Sequence, residues 1–157
     1  MQDHHETGED GLLFSTDRTR LDIDLIHRFL ADESYWVPGI RREFVERAIE
    51  TSLCFGLFDM AVRHGGSKAR QLAFARVITD GAGFAWLADV FVVGTERGAG
   101  LGKGLMAFVM AHPELQRIRR FMLATRDAHG LYEQFGFTPL AHPERIMERY
   151  DAEALSR

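Results

Sequence analysis

The sequence predicts an α+β domain built on a mixed, mostly antiparallel sheet flanked by helices. Three observations carry this class. Apolar residues recur at helical spacing over 22–30, over 41–51 and from 101 onward. Between 53 and 93 apolar residues alternate along the chain, and "HGGS" at 64–67 and "DGAG" at 80–83 mark turns, the pattern of a three-strand antiparallel meander. A further buried-looking strand, "RFMLAT" at 120–125, follows the third helix, so strands and helices interleave within one domain.

Each element has a local cause. "LLFS" at 12–15 reads as a short strand. Asp22 caps a helix in which Ile23, Ile26 and Leu30 share a face, with Leu25 and Phe29 beside them. "ESYWVPG" at 33–39 ends that pattern, because Pro38 and Gly39 oppose helix continuation. The next helix pairs Phe44 with Ala48 and Val45 with Ile49 at i,i+4. "LCFGLF" at 53–58, "RQLAFARVIT" at 70–79 and residues 84–93 form the meander. Leu101, Leu105 and Phe108 define the third helix, and Pro113 follows its end. Ala128, Leu131, Tyr132 and Phe135 mark a fourth, closed at Gly136. "PERIMERY" at 143–150 is expected to supply a last strand. Residues 1–11 are expected as a flexible tail and 12–157 as a single domain.

Bulk properties narrow the function. A chain of 157 residues with 46% hydrophobic and 27% charged residues is an ordinary globular domain. A net charge of −4 argues against a nucleic-acid partner, which usually meets a basic face. No stretch approaches the ~18 apolar residues of a membrane span. The polar start "MQDHHETGEDG" has no signal-peptide character, and the lone Cys54 fits a reducing compartment, so a cytoplasmic location is expected. His4 and His5 can be read as a metal-binding pair or as part of the tail. The remaining histidines show no ligand spacing, so no metal is expected.

The stretch "ERGAGLGKGL" at 96–105 carries the chemistry. A strand, a glycine loop and a helix in succession hold an anion, because the helix start leaves free N–H groups and glycine admits a phosphate close to the backbone. Spacing tests the nucleotide motifs. A Walker A loop would need glycine where Arg97 stands and a hydroxyl residue where Gly104 stands. A dinucleotide fingerprint would need its third glycine where Lys103 or Leu105 stands. Both fail.

Arg-x-x-Gly-x-Gly, from Arg97 through Gly100 to Gly102 after a hydrophobic strand, does fit a known pattern. "DVFVVGTERGAGLGKGLM" at 89–106 resembles the cofactor segment of the GNAT superfamily of acyl-CoA-dependent N-acetyltransferases. "ATRDAHGLYEQFGF" at 124–137 resembles that family's second signature, A-x-x-L-Y-x-x-x-G-F. The element order matches the family's fold over nearly the whole chain.

The resemblance implies acetyl-CoA as acyl donor, lying along Val90, Phe91 and Val92 as an added strand would. It implies a bulge there that frees an N–H for the thioester carbonyl. The pyrophosphate would meet the amides of Gly98, Ala99, Gly100, Gly102 and Lys103, with Arg97 adding charge. Lys103 also reads as a solvated helix residue. Two positions depart from the family: Gly94 replaces a common proline, and Thr125 an Asn that often contacts the pantetheine arm. Tyr132 matches the tyrosine that donates a proton to the departing sulfur, although it also lies on the apolar helix face. Asp89, before the cofactor strand, reads either as the group that draws in or deprotonates the amine or as a strand-end carboxylate; Glu133 is a second candidate. Cys54 reads as core packing.

The acceptor loop is "DESYWVPGIRR", where Tyr35 and Trp36 either hold a cationic amine or anchor the loop on the core. The "RIRR" cluster at 117–120 either touches the donor's ribose phosphate or is solvated surface. The expected function is transfer of an acetyl group to a primary amine of a small molecule or peptide, by a monomer or homodimer. The alternative is a non-catalytic acyl-CoA-binding or regulatory domain.

Overall fold

The computed structural model describes residues 3–61 and 69–157; the expected turn at 64–67 lies outside them. One six-stranded sheet runs in sequence order: β1 (His5–Thr7), β2 (Leu12–Ser15), β3 (Leu53–Asp59), β4 (Arg70–Thr79), β5 (Phe84–Val92) and β6 (Arg120–Met122). All neighbours are antiparallel except β5 and β6. The α+β class and the meander of β3, β4 and β5 are present as expected.

The two faces of the sheet bury different sets of side chains. Alternation aligns Leu53, Phe55 and Leu57 of β3 opposite Val77, Ala75 and Ala73 of β4. This row packs under α3 (Leu101–Ala111), whose Leu105, Met106, Phe108 and Val109 are buried against it. Cys54, Phe74 and Phe91 point the other way, into α1 (Ile23–Arg28) and α2 (Arg42–Glu50). Asp22 caps α1 as expected, its side chain accepting from the Leu25 N–H. A single π-type turn over 29–33 releases the chain into the Tyr35–Trp36 loop. A short α4 (His129–Glu133) follows β6.

Three expectations are revised. The segment expected as a tail holds β1, because Thr16 Oγ1 accepts from the His4 N–H at 2.8 Å and Ser15 Oγ pairs with His5 Nδ1 at 2.8 Å. His4 stacks on Phe108 with ring centroids 5.3 Å apart, so the two histidines are engaged separately and not as a metal pair. Residues 143–150 form no strand: Pro143–Arg145 is a 3-10 turn, and Met147 and Tyr150 are exposed. Adjacent apolar residues such as Ile146 and Met147 would face opposite sides of a strand, so one buried face could not take both. Finally, β6 ends at Met122, although its sequence pattern runs to Thr125.

His112 shows how the core carries a pH response. It is buried beside Phe55, and burial holds its imidazole below the ordinary value near 6.5. The folded state therefore binds fewer protons than the unfolded state, so this contribution is complete above about pH 6.5 and is lost as pH falls. Denaturation midpoints should drop between about pH 7.5 and 5.5, and His112→Gln should flatten that slope. An equally steep slope in the variant would remove His112 from the account.

Candidate active site

The early end of β6 creates the site. β5 and β6 pair only through Phe84–Arg120, Ala85–Phe121 and Trp86–Met122. Beyond Trp86 the strands part, and a cleft of about 440 Å³ opens between Leu87–Val90 and Leu123–Ala128. Among the described residues its β5 wall is a strand edge without a neighbour on this side, able to pair with an extended ligand as an added strand would.

β5 carries an irregularity at this point. Phe74 faces Phe91 and Arg76 faces Ala88, so Asp89 and Val90 together oppose Ala75 alone. The extra residue makes a β-bulge, and Asp89 adopts a φ of 53°, a left-handed conformation uncommon outside glycine. A bulge bends its strand and breaks the local ladder, which turns backbone groups toward the cleft.

Six residues singled out from the sequence line this cleft: Tyr35, Trp36, Asp89, Val90, Thr125 and Tyr132. Tyr132, on α4, is buried, and burial pushes its phenol up to about 12. Its hydroxyl makes no hydrogen bond to another described residue, and no buried polar side-chain atom among them lacks a partner. The hydroxyl therefore opens on the cleft as a protonated donor.

Asp89 is held on both oxygens. Trp36 Nε1 donates to Oδ1 at 3.0 Å, and Arg76 Nε donates to Oδ2 at 2.7 Å. Trp36 thus packs and hydrogen-bonds at once, its ring tilted against Phe29 at 6.4 Å. Tyr35, expected either to hold a cationic amine or to anchor the loop, stacks on a cation of the protein itself: the Arg126 guanidinium lies 3.9 Å from its ring centroid. The Arg126 N–H also donates to the Tyr35 hydroxyl at 2.8 Å, so Tyr35 bridges the cleft from the helix-connecting loop to the segment before α4. Thr125 Oγ1 accepts from the Ala128 N–H at 3.0 Å, shaping that segment.

The other predicted residues lie on the last residues of β5, in the loop beyond it and at the start of α3. Phe91 faces the core, stacked on Phe29 with centroids 3.9 Å apart, so only its backbone reaches the strand edge. Arg97 folds back, Nε donating to the Val92 carbonyl at 3.3 Å. Gly98 and Gly100 have φ of 85° and 74°, and a Cβ at either would meet nothing within 4 Å, so the loop face is open. Among the described residues no acceptor is found for the amides of Gly98, Ala99, Gly100, Leu101, Gly102 or Lys103, which lie at or before the first turn of α3. This is an anion cradle of backbone donors at a helix start, and it fits a diphosphate. Lys103 is exposed beside it.

The remaining candidates fall elsewhere. The 117–120 cluster enters β6 opposite Phe84, at the far end of β5 from the glycine loop, which places it away from the cradle. Cys54 is buried, and burial pushes its thiol up to about 12, as packing requires and nucleophilic chemistry does not. Glu133 and His129 line a neighbouring groove with Phe137 and Leu140. Among the described residues no cluster of three or more metal-ligating side chains occurs. Arg76 and Arg126 were missed. Arg76 had a signal, a lone charge inside the apolar run "LAFARVI", which needs a partner when the strand is buried.

Comparison with known proteins agrees with this geometry. The acetyltransferase (GNAT) domain model matches residues 59–139, just over half of the chain, and spans the bulge, the glycine loop and Tyr132. A crystal structure of a proposed GNAT-family acetyltransferase from Xanthomonas campestris pv. campestris is 51% identical, with a TM-score of 0.84, and covers 96% of this chain and 100% of that one. A proposed acetyltransferase of Gibberella zeae is 29% identical over 76% of this chain and 75% of its own. A Clostridium acetobutylicum protein, solved with acetyl-CoA, shares the fold at 15% identity, with a TM-score of 0.60 over 95% of this chain and 96% of that one. The matched segment carries the cleft wall, the bulge and the glycine loop of this chain, and the chain belongs to the GNAT family of acetyltransferases.

Proposed function

We propose that the protein is an N-acetyltransferase that moves an acetyl group from acetyl-CoA to a primary amine by direct attack on the thioester. One observation carries this reading: the bulge at Asp89–Val90 and the unpartnered Tyr132 hydroxyl line the same cleft. That pairs a backbone donor for the thioester oxygen with a proton donor for the thiolate. The diphosphate would rest on the amides of 98–103, with Arg97 and Lys103 near it, and the pantetheine arm would run along the free edge of Val90, Phe91 and Val92.

The balance of the reaction is simple. The ammonium gives up a proton, and the free amine attacks the acetyl carbon. The C–N bond forms as the C–S bond breaks, and the nitrogen loses its second proton. Tyr132 protonates the departing sulfur and regains its proton from solvent, so one proton is released overall. Asp89 draws in the ammonium and passes its proton onward through water. Trp36 and Arg76 fix the carboxylate for this task.

Trp36→Phe keeps the packing on Phe29 and deletes the donor to Asp89. It should raise acceptor KM several-fold with little change in melting temperature. A loss of stability with unchanged KM would leave Trp36 as a loop anchor only. The reading itself is tested by calorimetry with acetyl-CoA together with free-thiol release over a panel of amines. Tight binding without amine-dependent thiol release would support a non-catalytic acyl-CoA-binding domain instead.

A further inference from the structure

Asp89 also lines a second cavity. This space, about 310 Å³, lies between α2 and the α1-facing side of the sheet. Its walls are chiefly apolar, with Ile40, Phe44, Val45, Ala48 and Ile78 among them, while Arg76 and Asp89 from the strands, and Arg47, Thr51 and Ser52 from α2 and the turn before β3, contribute polar groups. Among the described residues, Asp89 alone is common to this cavity and to the cleft.

The hydrogen bonds at this junction leave capacity of both signs. Each Asp89 oxygen accepts one protein donor, Trp36 on Oδ1 and Arg76 on Oδ2, and has room for another. Arg76 uses Nε on Asp89 and Nη1 on Ser52 Oγ at 3.1 Å, and its Nη2 has no acceptor among the described residues. Both side chains are largely buried, 14% exposed for Arg76 and 10% for Asp89.

Charge decides which amine suits this junction. Arg76 already balances Asp89, so a purely cationic head would bring an unbalanced positive charge beside a buried guanidinium. A head that carries an amine and a carboxylate adds both signs, one for Asp89 and one for the open edge of Arg76. Away from this junction, and apart from the exposed Arg47 and Thr51, the lining is aliphatic and aromatic, and a polar body would leave hydrogen-bonding groups against it. We infer that the acceptor is an apolar α-amino acid in its free-acid form. Its amine lies at Asp89 facing the bulge, its carboxylate on Arg76, and its side chain in the cavity beneath α2. This rests on the acetyl-transfer reading above and adds the acceptor to it.

The test is steady-state kinetics with acetyl-CoA and three sets of acceptors. The first is leucine, methionine and phenylalanine. The second is their primary amides, which mimic a peptide amino terminus, with phenethylamine as the analogue lacking any carboxylate. The third is glutamate and lysine. The free apolar amino acids should exceed the other two sets by roughly a hundredfold in kcat/KM, because a site built to bind a polar group rejects analogues lacking it. Ala48→Phe, which fills the cavity away from the cleft, should raise amino-acid KM about tenfold and leave acetyl-CoA KM unchanged. Should that variant fail to fold, Ile78→Glu at the exposed rim should have the same effect. Equal rates with the amides or with phenethylamine overturn the inference, as does an unchanged amino-acid KM in the variant that folds. Turnover of simple amines without turnover of amino acids overturns the inference alone. Absence of acetyl-CoA binding overturns the acetyl-transfer reading as well.

Discussion

Tyr132→Phe should lower kcat by about a hundredfold while leaving acetyl-CoA affinity within a few-fold, the range expected on removing a general acid. The hydroxyl has no described protein partner, so its loss breaks no internal hydrogen bond, and the phenylalanine ring still fills the buried face of α4. A stability defect is therefore not expected to obscure the kinetic one. Burial holds the phenol at about 12, so the residue stays protonated through neutral and mildly alkaline pH. The alkaline limb of the rate profile should consequently be the same in wild type and variant. Unchanged turnover in Tyr132→Phe would remove the residue from the chemistry and leave it as packing.

Gly100→Val should weaken acetyl-CoA binding by about ten- to a hundredfold with the fold intact. Gly100 sits in the left-handed region with a φ of 74°, where a β-branched residue is strained by roughly 1–2 kcal/mol or more. Relieving that strain by rotating the loop backbone would redirect the amides at the start of α3. No described residue crowds a Cβ at this position, so the cost falls on the loop's shape and on whatever ligand occupies its open face. Gly100→Ala should show the same direction with a smaller effect. Calorimetry checks both, and normal affinity in the valine variant would place the diphosphate elsewhere.

The parts of the fold that were legible are those whose cause is local. The strand read at 70–79 is β4 residue for residue, and the helix read at 41–51 is α2 with one residue trimmed at each end. The Asp22 cap was visible because capping acts within three residues. The strand β1 was not visible, since a polar run such as His5–Thr7 becomes a strand only through β2 and through the stacking of His4 on Phe108. The expected last strand failed because Pro143–Arg145 closes a 3-10 turn, and Ile146 and Met147, adjacent in sequence, cannot share one face of a strand.

The candidate site divides in the same way. The glycine loop and Tyr132 could be singled out from the sequence because their spacing is itself the signature. The partners of Asp89 were not, because Trp36 comes from 53 residues upstream and Arg76 from 13, and only the folded sheet brings them to one carboxylate. The same holds for Tyr35, whose cation turns out to be Arg126, 91 residues away. Pairings of this kind depend on topology, which local pattern does not encode.

Direct transfer within the β5–β6 cleft is tested most directly by intact-mass spectrometry of a single turnover. Protein should first be mixed with acetyl-CoA alone and then with an amine that it accepts. The account predicts no acetylated protein in the first step, then free thiol and acetylated amine in equal amounts in the second. An acetylated protein that forms without amine and decays on its addition, or thiol released with no acetylated amine, would contradict it.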